Sequence, residues 1–291
     1  MSTHSPFKLA GIMGWPVGHS RSPSIHNYWI KQHALNGAYV YLPVNPANSD
    51  DLKAALKGLS VMGFAGCNLT LPHKVMALPM VDRLDATAKR MGAINTIVVE
   101  ADGSLSGYNN DGYGYIQSLL VAKPDWQADA GPALIMGAGG AARAVLVSLA
   151  EKGVKDIRLC NRTESHAHDL AAAFKDDFAQ NLGTKLTAVP WDQRHQALAD
   201  VALLVNTTSQ GMGSNPPLDI SLDLLPTTAL VSDVVYIPME TPLLKAAKAR
   251  GNPTAGGLNM LLHQARPAFQ KWFGVLPEVT PELIKQVEAT F

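Results

Sequence analysis

The stretch Ala133-Leu134-Ile135-Met136-Gly137-Ala138-Gly139-Gly140-Ala141-Ala142-Arg143 decides the fold. Its four apolar residues suit a strand buried on both faces. The glycines suit a turn, and Val145, Leu146 and Leu149 then follow at helical spacing. Gly137, Gly139 and Ala142 fit the Gly-x-Gly-x-x-Gly/Ala pattern of a dinucleotide-binding turn. The first position allows the tight turn, the second lets backbone approach a pyrophosphate, and the small third lets helix and strand pack closely. The unpaired N–H groups and positive dipole end of the helix then face the phosphates. Gly137, Ala138, Gly139, Gly140 and Ala141 are therefore candidate cofactor-binding residues.

Beyond this turn the alternation of strands and helices continues. Residues 157–160, 186–189, 201–205 and 230–235 read as strands, and 165–178 and 193–199 as helices. Before it, residues 8–13 read as a first strand. A helix follows that is capped by Ser22, with Pro23 in its first turn and Gly37 as its stop. A strand over 39–44, a helix over 51–59 capped by Ser49 and a strand over 63–70 come next. The turn Leu71-Pro72-His73-Lys74, a helix over 85–91 and a strand over 96–99 lead to a hairpin at Asp102-Gly103. Asp111 opens another helix, and breakers at 123–125 and 129–132 precede the dinucleotide strand. Residues 257–273 and 280–289 read as terminal helices.

The predicted fold class is α/β with two α/β domains. One is a substrate-binding domain with a mainly parallel sheet, residues 1–110 plus 257–291. The other is a Rossmann-type dinucleotide-binding domain, residues 111–256, with a cleft between the two.

The 291 residues suffice for two cores, and 47% hydrophobic with 16% charged content is that of a globular enzyme rather than a disordered chain. Lys plus Arg and Asp plus Glu number 24 each, so no global field recruits nucleic acid or an acidic membrane surface. The opening Met1-Ser2-Thr3-His4-Ser5-Pro6 has no basic segment leading to an apolar core, and no long uncharged apolar run spans a bilayer. A cytoplasmic protein, monomeric or homodimeric, is expected. Two cysteines, Cys67 and Cys160, are too few for a disulfide framework and lack zinc spacing; both read as reduced thiols in strands.

Polar residues gather just past predicted strand ends, where open α/β sheets bind ligands. Ser20 and Ser22 carry two hydroxyls that could donate to one carboxylate, with capping and loop roles as the plain alternative. Lys74 follows a strand end together with Asn68, Thr70, Asn95 and Asp111. That company suits a polyhydroxylated ligand, and a lysine beside an aspartate can exchange a proton with a hydroxyl. None of the nine histidines forms a metal-binding pattern, so no metal is expected. His26 and His33 lie along one helix, and His73 adjoins Lys74, where it could assist proton transfer, with a surface or structural role as the plain alternative. Met212, Met239 and Met260 suit either a nicotinamide pocket or a core.

The motifs Gly14 to Asn27, Gly66 to Lys74, Ala93-Ile94-Asn95-Thr96, Gly137 to Arg143, Asn161-Arg162-Thr163, Asn206 to Met212, Asp233 to Tyr236 and Gly257 to Gln264 resemble the shikimate dehydrogenase family. They occur in family order over nearly the whole chain. The resemblance implies reversible NADP- or NAD-dependent hydride transfer between a nicotinamide and C3 of shikimate or a close relative, the product being 3-dehydroshikimate. It implies that Lys74 is catalytic with Asp111 as its partner, and that Ser20 and Ser22 hold the carboxylate. Asn68, Thr70, Asn95, Asp111, Tyr236 and Gln264 then surround the ring hydroxyls. Asn161, Arg162, Thr163, Glu164, Thr207, Met212, Val234 and Gly257 join the glycine turn as cofactor-binding residues.

Two positions depart from the family pattern. Asn110 stands where threonine is usual before the aspartate, which keeps quinate, an aminoshikimate or another cyclic hydroxy acid open as substrate. At the ribose position, Arg162 and Thr163 suit a 2′-phosphate. Glu164 adds a carboxylate suited to an unphosphorylated ribose, and His166 stands where a second basic residue is common. Use of both NADP and NAD with modest discrimination is expected. A non-catalytic dinucleotide-binding sensor is the rival of another class.

Overall fold

The computed structural model describes residues 6–291, so the reading of residues 1–5 lies outside the described part. In chain order the elements are β1 (Lys8–Gly14), α1 (Ser22–Gln32), β2 (Gly37–Pro43), α2 (Ser49–Val61), β3 (Phe64–Leu69), α3 (His73–Met76), β4 (Arg83–Leu84), α4 (Ala86–Met91), β5 (Thr96–Val99) and β6 (Leu105–Tyr108). Then come α5 (Asp111–Ala122), β7 (Ala133–Met136), α6 (Gly140–Lys152), β8 (Asp156–Cys160), α7 (Glu164–Asp177), β9 (Lys185–Val189), β10 (Leu203–Asn206), β11 (Leu230–Asp233), α8 (Pro242–Ala249), β12 (Thr254–Gly256), α9 (Gly257–Phe273) and α10 (Pro281–Glu288).

These elements form two compact units, Met1–Asn110 with Gln264–Phe291, and Asp111–His263. The return to the first unit falls inside α9, at Gln264, seven residues after the expected position at Gly257.

The first unit holds a sheet ordered β2-β1-β3-β5-β6-β4. β1 pairs in parallel with β2 and β3, β4 pairs in parallel with β6, and β5 runs antiparallel to both β3 and β6. The hairpin at Asp102-Gly103 sets this reversal: Gly103 takes a φ of 81° and Ser104 N–H is bonded to the Asp102 carboxylate. Leu52, Leu56 and Leu59 of α2 pack with Leu69, Ile94 and Ile97 as its core. Trp272 of α9 donates its indole N–H to the Ile97 carbonyl at 2.9 Å, which ties the C-terminal helix to this sheet.

The second unit holds an all-parallel sheet ordered β12-β11-β10-β7-β8-β9. Strand order reverses between β7 and β10, which is the topological switch point at which such sheets bind dinucleotides. All four residues of β7 are buried, as a strand covered on both faces requires.

Several local expectations change. Ser22 is the first residue of α1, and Arg21 precedes it without a side-chain cap. α2 is capped by Asn48, whose side chain accepts from Asp50 N–H, and Ser49 lies inside the helix. Gly37 opens β2 rather than ending α1, which stops at Gln32. Residues 193–199 form no helix but fall in two short 3₁₀ turns, since Gln193-Arg194-His195-Gln196 offers no apolar stripe to bury. Three further elements come to light, the two-residue β4 among them. β12 is too short to show periodicity, whereas α8 does carry a start signal in Thr241-Pro242. Cys67 and Cys160 are buried free thiols in strands, as expected. Among the described residues no helix is long and apolar enough to cross a membrane, and no group of three His, Cys, Asp or Glu could hold a metal.

Candidate active site

In the first unit the polar candidates gather at the ends of β1, β3 and β5. Ser20 donates its hydroxyl to that of Ser22 at 3.2 Å, and Ser22 N–H points at the Ser20 oxygen at 3.3 Å. The two hydroxyls are thus close enough to address one carboxylate together, the chemistry expected of them. Thr70 lies past the end of β3, its N–H donating to the Met13 carbonyl, and it is half-buried.

Asn68, Asn95 and Gln264 are joined by hydrogen bonds. Asn68 is almost fully buried; it accepts from Tyr39 Oη at 2.7 Å and donates through Nδ2 to the Asn95 carbonyl and to Thr96 Oγ1. Asn95 Nδ2 donates to Gln264 Oε1 at 3.3 Å, across 169 residues of chain. The Asn68 carboxamide is therefore spent mostly on protein groups, and Asn95, as buried as Asn68, links it to the half-buried Gln264.

Lys74 lies in α3, half-buried, and its backbone carbonyl accepts from Ile94 N–H at 2.8 Å, which joins the lysine-bearing turn to the Asn95 segment. Beside it, His73 is buried and its Nε2 meets the Val44 carbonyl at 2.9 Å. Burial moves its pKa down and the Val44 contact opposes that. Asp111 is the first residue of α5 and belongs to the second unit.

In the second unit Gly137 takes a φ of 113°, and a Cβ there would stand 2.5 Å from Thr207 Oγ1. Only glycine fits. The Thr207 hydroxyl is turned inward and donates to the Met136 carbonyl at 2.8 Å, which joins the two loops at the switch point. Gly139 and Gly140 are exposed, and a Cβ on either would meet nothing. Gly139 is the N-cap of α6 and provides no side-chain cap, so the first N–H groups of that helix are left for a ligand. Ala142 is fully buried, as the fingerprint requires of its third position. These features fit a bound dinucleotide pyrophosphate.

A cavity of about 240 Å³ adjoins the turn, lined by Gly137, Asn161, Arg162, Thr163, Trp191 and the loop Thr208 to Gln210. Asn161 Nδ2 donates to the Thr163 carbonyl and shapes its wall. Arg162 and Thr163 are exposed at the start of α7. The Glu164 carboxylate accepts the Trp191 backbone N–H at 2.8 Å, so one of its oxygens is engaged with protein rather than open to a ribose. Trp191 in turn lies beneath the Arg194 guanidinium at 4.4 Å.

Two buried polar residues absent from the expected site organise these loops. Asn206 accepts Thr208 N–H and the Thr208 hydroxyl, and donates to Gln210 O and Asp233. Asp233 also accepts Thr241 Oγ1 and Val235 N–H. Burial raises the Asp233 pKa against the pull of those donors. Both residues stood inside recognisable motifs, so a signal existed. Thr96 closed the Ala93-Ile94-Asn95-Thr96 motif in the same way, whereas Tyr39 of the first unit read only as a strand residue and gave none.

Val234 and Gly257 pack backbone to backbone, leaving no room for a Cβ on Gly257. Tyr236 is half-buried, while Met212 and Met239 are exposed and so are not core fillers.

Family models agree with this division of labour. Residues 12–97 match the shikimate dehydrogenase substrate binding domain, and residues 122–210 match shikimate / quinate 5-dehydrogenase. The chain is 49% identical over 276 residues to shikimate dehydrogenase (NADP(+)) of Paramagnetospirillum magneticum, covering 95% of this chain and 96% of that one. The structure is similar to shikimate 5-dehydrogenase of Thermus thermophilus in complex with NADP(H) and shikimate, at 33% identity and a TM-score of 0.82 over 98% of this chain and 100% of the other. It is also similar to quinate dehydrogenase of Corynebacterium glutamicum in complex with NAD, at 29% identity and a TM-score of 0.86 over 98% and 100%. With a full-length relative at this identity, two family models in register and the dinucleotide turn at the switch point of an all-parallel sheet, the chain belongs to the shikimate dehydrogenase family.

Proposed function

We propose that the protein is a shikimate dehydrogenase that interconverts shikimate and 3-dehydroshikimate with NADP as its preferred cofactor. The observation that carries this reading is the cluster of carboxamides and hydroxyls at the strand ends of the first unit, in a chain whose second unit carries the dinucleotide turn. Ser20 and Ser22 bind the carboxylate. Asn95, Gln264, Thr70 and Tyr236 take the ring hydroxyls, and Asn68 braces Asn95 from behind. Lys74, with Asp111, takes the proton from the C3 hydroxyl in one direction and returns it in the other. The nicotinamide, when bound, exchanges the hydride with C3. Holding substrate and cofactor together removes most of the orientational entropy from that step.

The cofactor preference follows from the cavity beside Arg162. With Glu164 tied to Trp191, the Arg162 guanidinium and Thr163 hydroxyl are the groups that face a 2′-phosphate, and a charge-assisted contact of this kind outweighs a neutral one. Absorbance at the reduced-nicotinamide band, with shikimate and each cofactor, tests the proposal. Turnover is expected with both, and kcat/KM should favour NADP by roughly tenfold or more, the worth of one such contact. An equal or inverse preference refutes the role given to Arg162. Asn110 favours a second reading in which quinate is also oxidised, which the same assay with quinate decides.

A further inference from the structure

Thr96 lies behind Asn95, and its hydroxyl has three polar neighbours: Asn68 Nδ2 at 3.1 Å, Asn110 Nδ2 at 2.9 Å and Asn95 Oδ1 at 2.8 Å. Backbone groups settle which atom is which. Asn110 N–H donates to the Asn95 side chain at 3.0 Å, so that atom is the oxygen. Asn68 donates to the Asn95 backbone carbonyl, so that atom is the nitrogen, and its other end accepts from Tyr39 Oη. Thr96 must then spend its single proton on Asn95 Oδ1, because an oxygen there can only accept. With that proton used, its lone pairs can take only donors, and Asn110 must present Nδ2. The hydroxyl thus makes one bond as donor and two as acceptor, its full capacity. Thr96, Asn68, Asn95 and Asn110 are all buried, which strengthens these bonds.

From this arithmetic we infer that Thr96 is a positioning residue: held as a donor by Asn68 and Asn110, it fixes the Asn95 carboxamide with Nδ2 outward, toward Gln264 and the substrate hydroxyl. The inference rests on the functional reading above and deepens it. It also gives Asn110 a part. The side chain before Asp111 has to donate to Thr96, a demand that asparagine meets here in place of the usual threonine. An acceptor-only side chain at that position would compete for the Thr96 proton and leave the Asn95 oxygen to the Asn110 N–H alone.

The test compares Thr96→Val with Thr96→Ser. Valine keeps the shape and removes the hydroxyl, leaving the donors of Asn68 and Asn110 without their partner; serine restores it. For Thr96→Val the shikimate KM should rise at least about tenfold, with kcat changed less and the cofactor KM held within about twofold. Thr96→Ser should bring the shikimate KM back to within about threefold of the parent. A folded Thr96→Val enzyme with the parent KM overturns the inference. So does a parallel rise in cofactor KM, which is the mark of general damage.

Should Thr96→Val fail to fold, Asn110→Leu removes one donor and keeps the hydroxyl. The same selective rise in shikimate KM is then expected, and an unchanged KM overturns the inference. A parent protein without shikimate turnover refutes the functional reading instead. Thr96 is then judged on the NMR signals of the Asn95 side-chain amide: a fixed pair in the parent that averages in Thr96→Val or Asn110→Leu supports the inference, and signals unchanged by either substitution overturn it.

Discussion

Replacing His26 with phenylalanine should flatten the acid side of the stability profile. His26 lies in α1, fully buried, stacked on Tyr39 with ring centroids 4.2 Å apart and flanked by Trp29, Phe269 and Trp272. Among the described residues neither ring nitrogen has a hydrogen-bond partner. Burial pushes its pKa from 6.5 down to about 3, with the Asn68 side chain a weaker opposing influence. Below about pH 6.5 the unfolded chain therefore binds a proton that the folded chain refuses. The stability is complete above that pH and drains away as pH falls toward the folded value. Two pH units below 6.5, at about pH 4.5, the loss is roughly 2.7 kcal/mol, since one unit corresponds to about 1.36 kcal/mol. Urea unfolding of parent and His26→Phe from pH 7.5 to 4.5 measures it. The absolute stabilities will differ because phenylalanine is larger, so the quantity that matters is the change of their difference with pH. The other titrating groups, His73 and Asp233 included, occur in both proteins and cancel. Parallel profiles would refute the reasoning and mean that the His26 ring takes up its proton in the folded state.

Lys74→Ala should lower kcat by about 10²–10⁴-fold while shifting the shikimate KM far less, because a proton carrier acts mainly in the transition state; steady-state kinetics showing equal losses in both would make the lysine a binding residue only. The two glycines of the turn should separate cleanly. Gly137→Ala forces a side chain into a left-handed conformation and onto Thr207, which should cost about 1–3 kcal/mol and lower Tm by several degrees together with cofactor affinity. Gly139→Ala meets nothing in the protein and should leave Tm unchanged while weakening cofactor binding, as read by calorimetry. Equal Tm losses for the two would refute the assignment of Gly139 to a ligand rather than to the fold.

The sequence by itself determined the architecture. β7, the glycine turn and α6 announce a buried parallel strand feeding a helix, since apolar runs and glycine spacing act over a few residues. The hairpin at Asp102-Gly103, the free cysteines in strands and the motif residues at strand ends were legible for the same reason. Helix starts were less so. Ser22 and Ser49 both look like caps, yet the bond that decides a cap is backbone geometry two or three residues away, which composition does not show.

Only the tertiary structure decided how the polar residues divide their bonds. Tyr39, Asn68, Thr96, Asn95, Asn110 and Gln264 come from widely separated stretches, and the direction of each hydrogen bond depends on all of its neighbours at once. The same holds for Glu164, one of whose carboxylate oxygens accepts the Trp191 backbone N–H from a stretch 27 residues away. Local patterns encode where strands end; which oxygen faces which proton exists only once the strands are side by side.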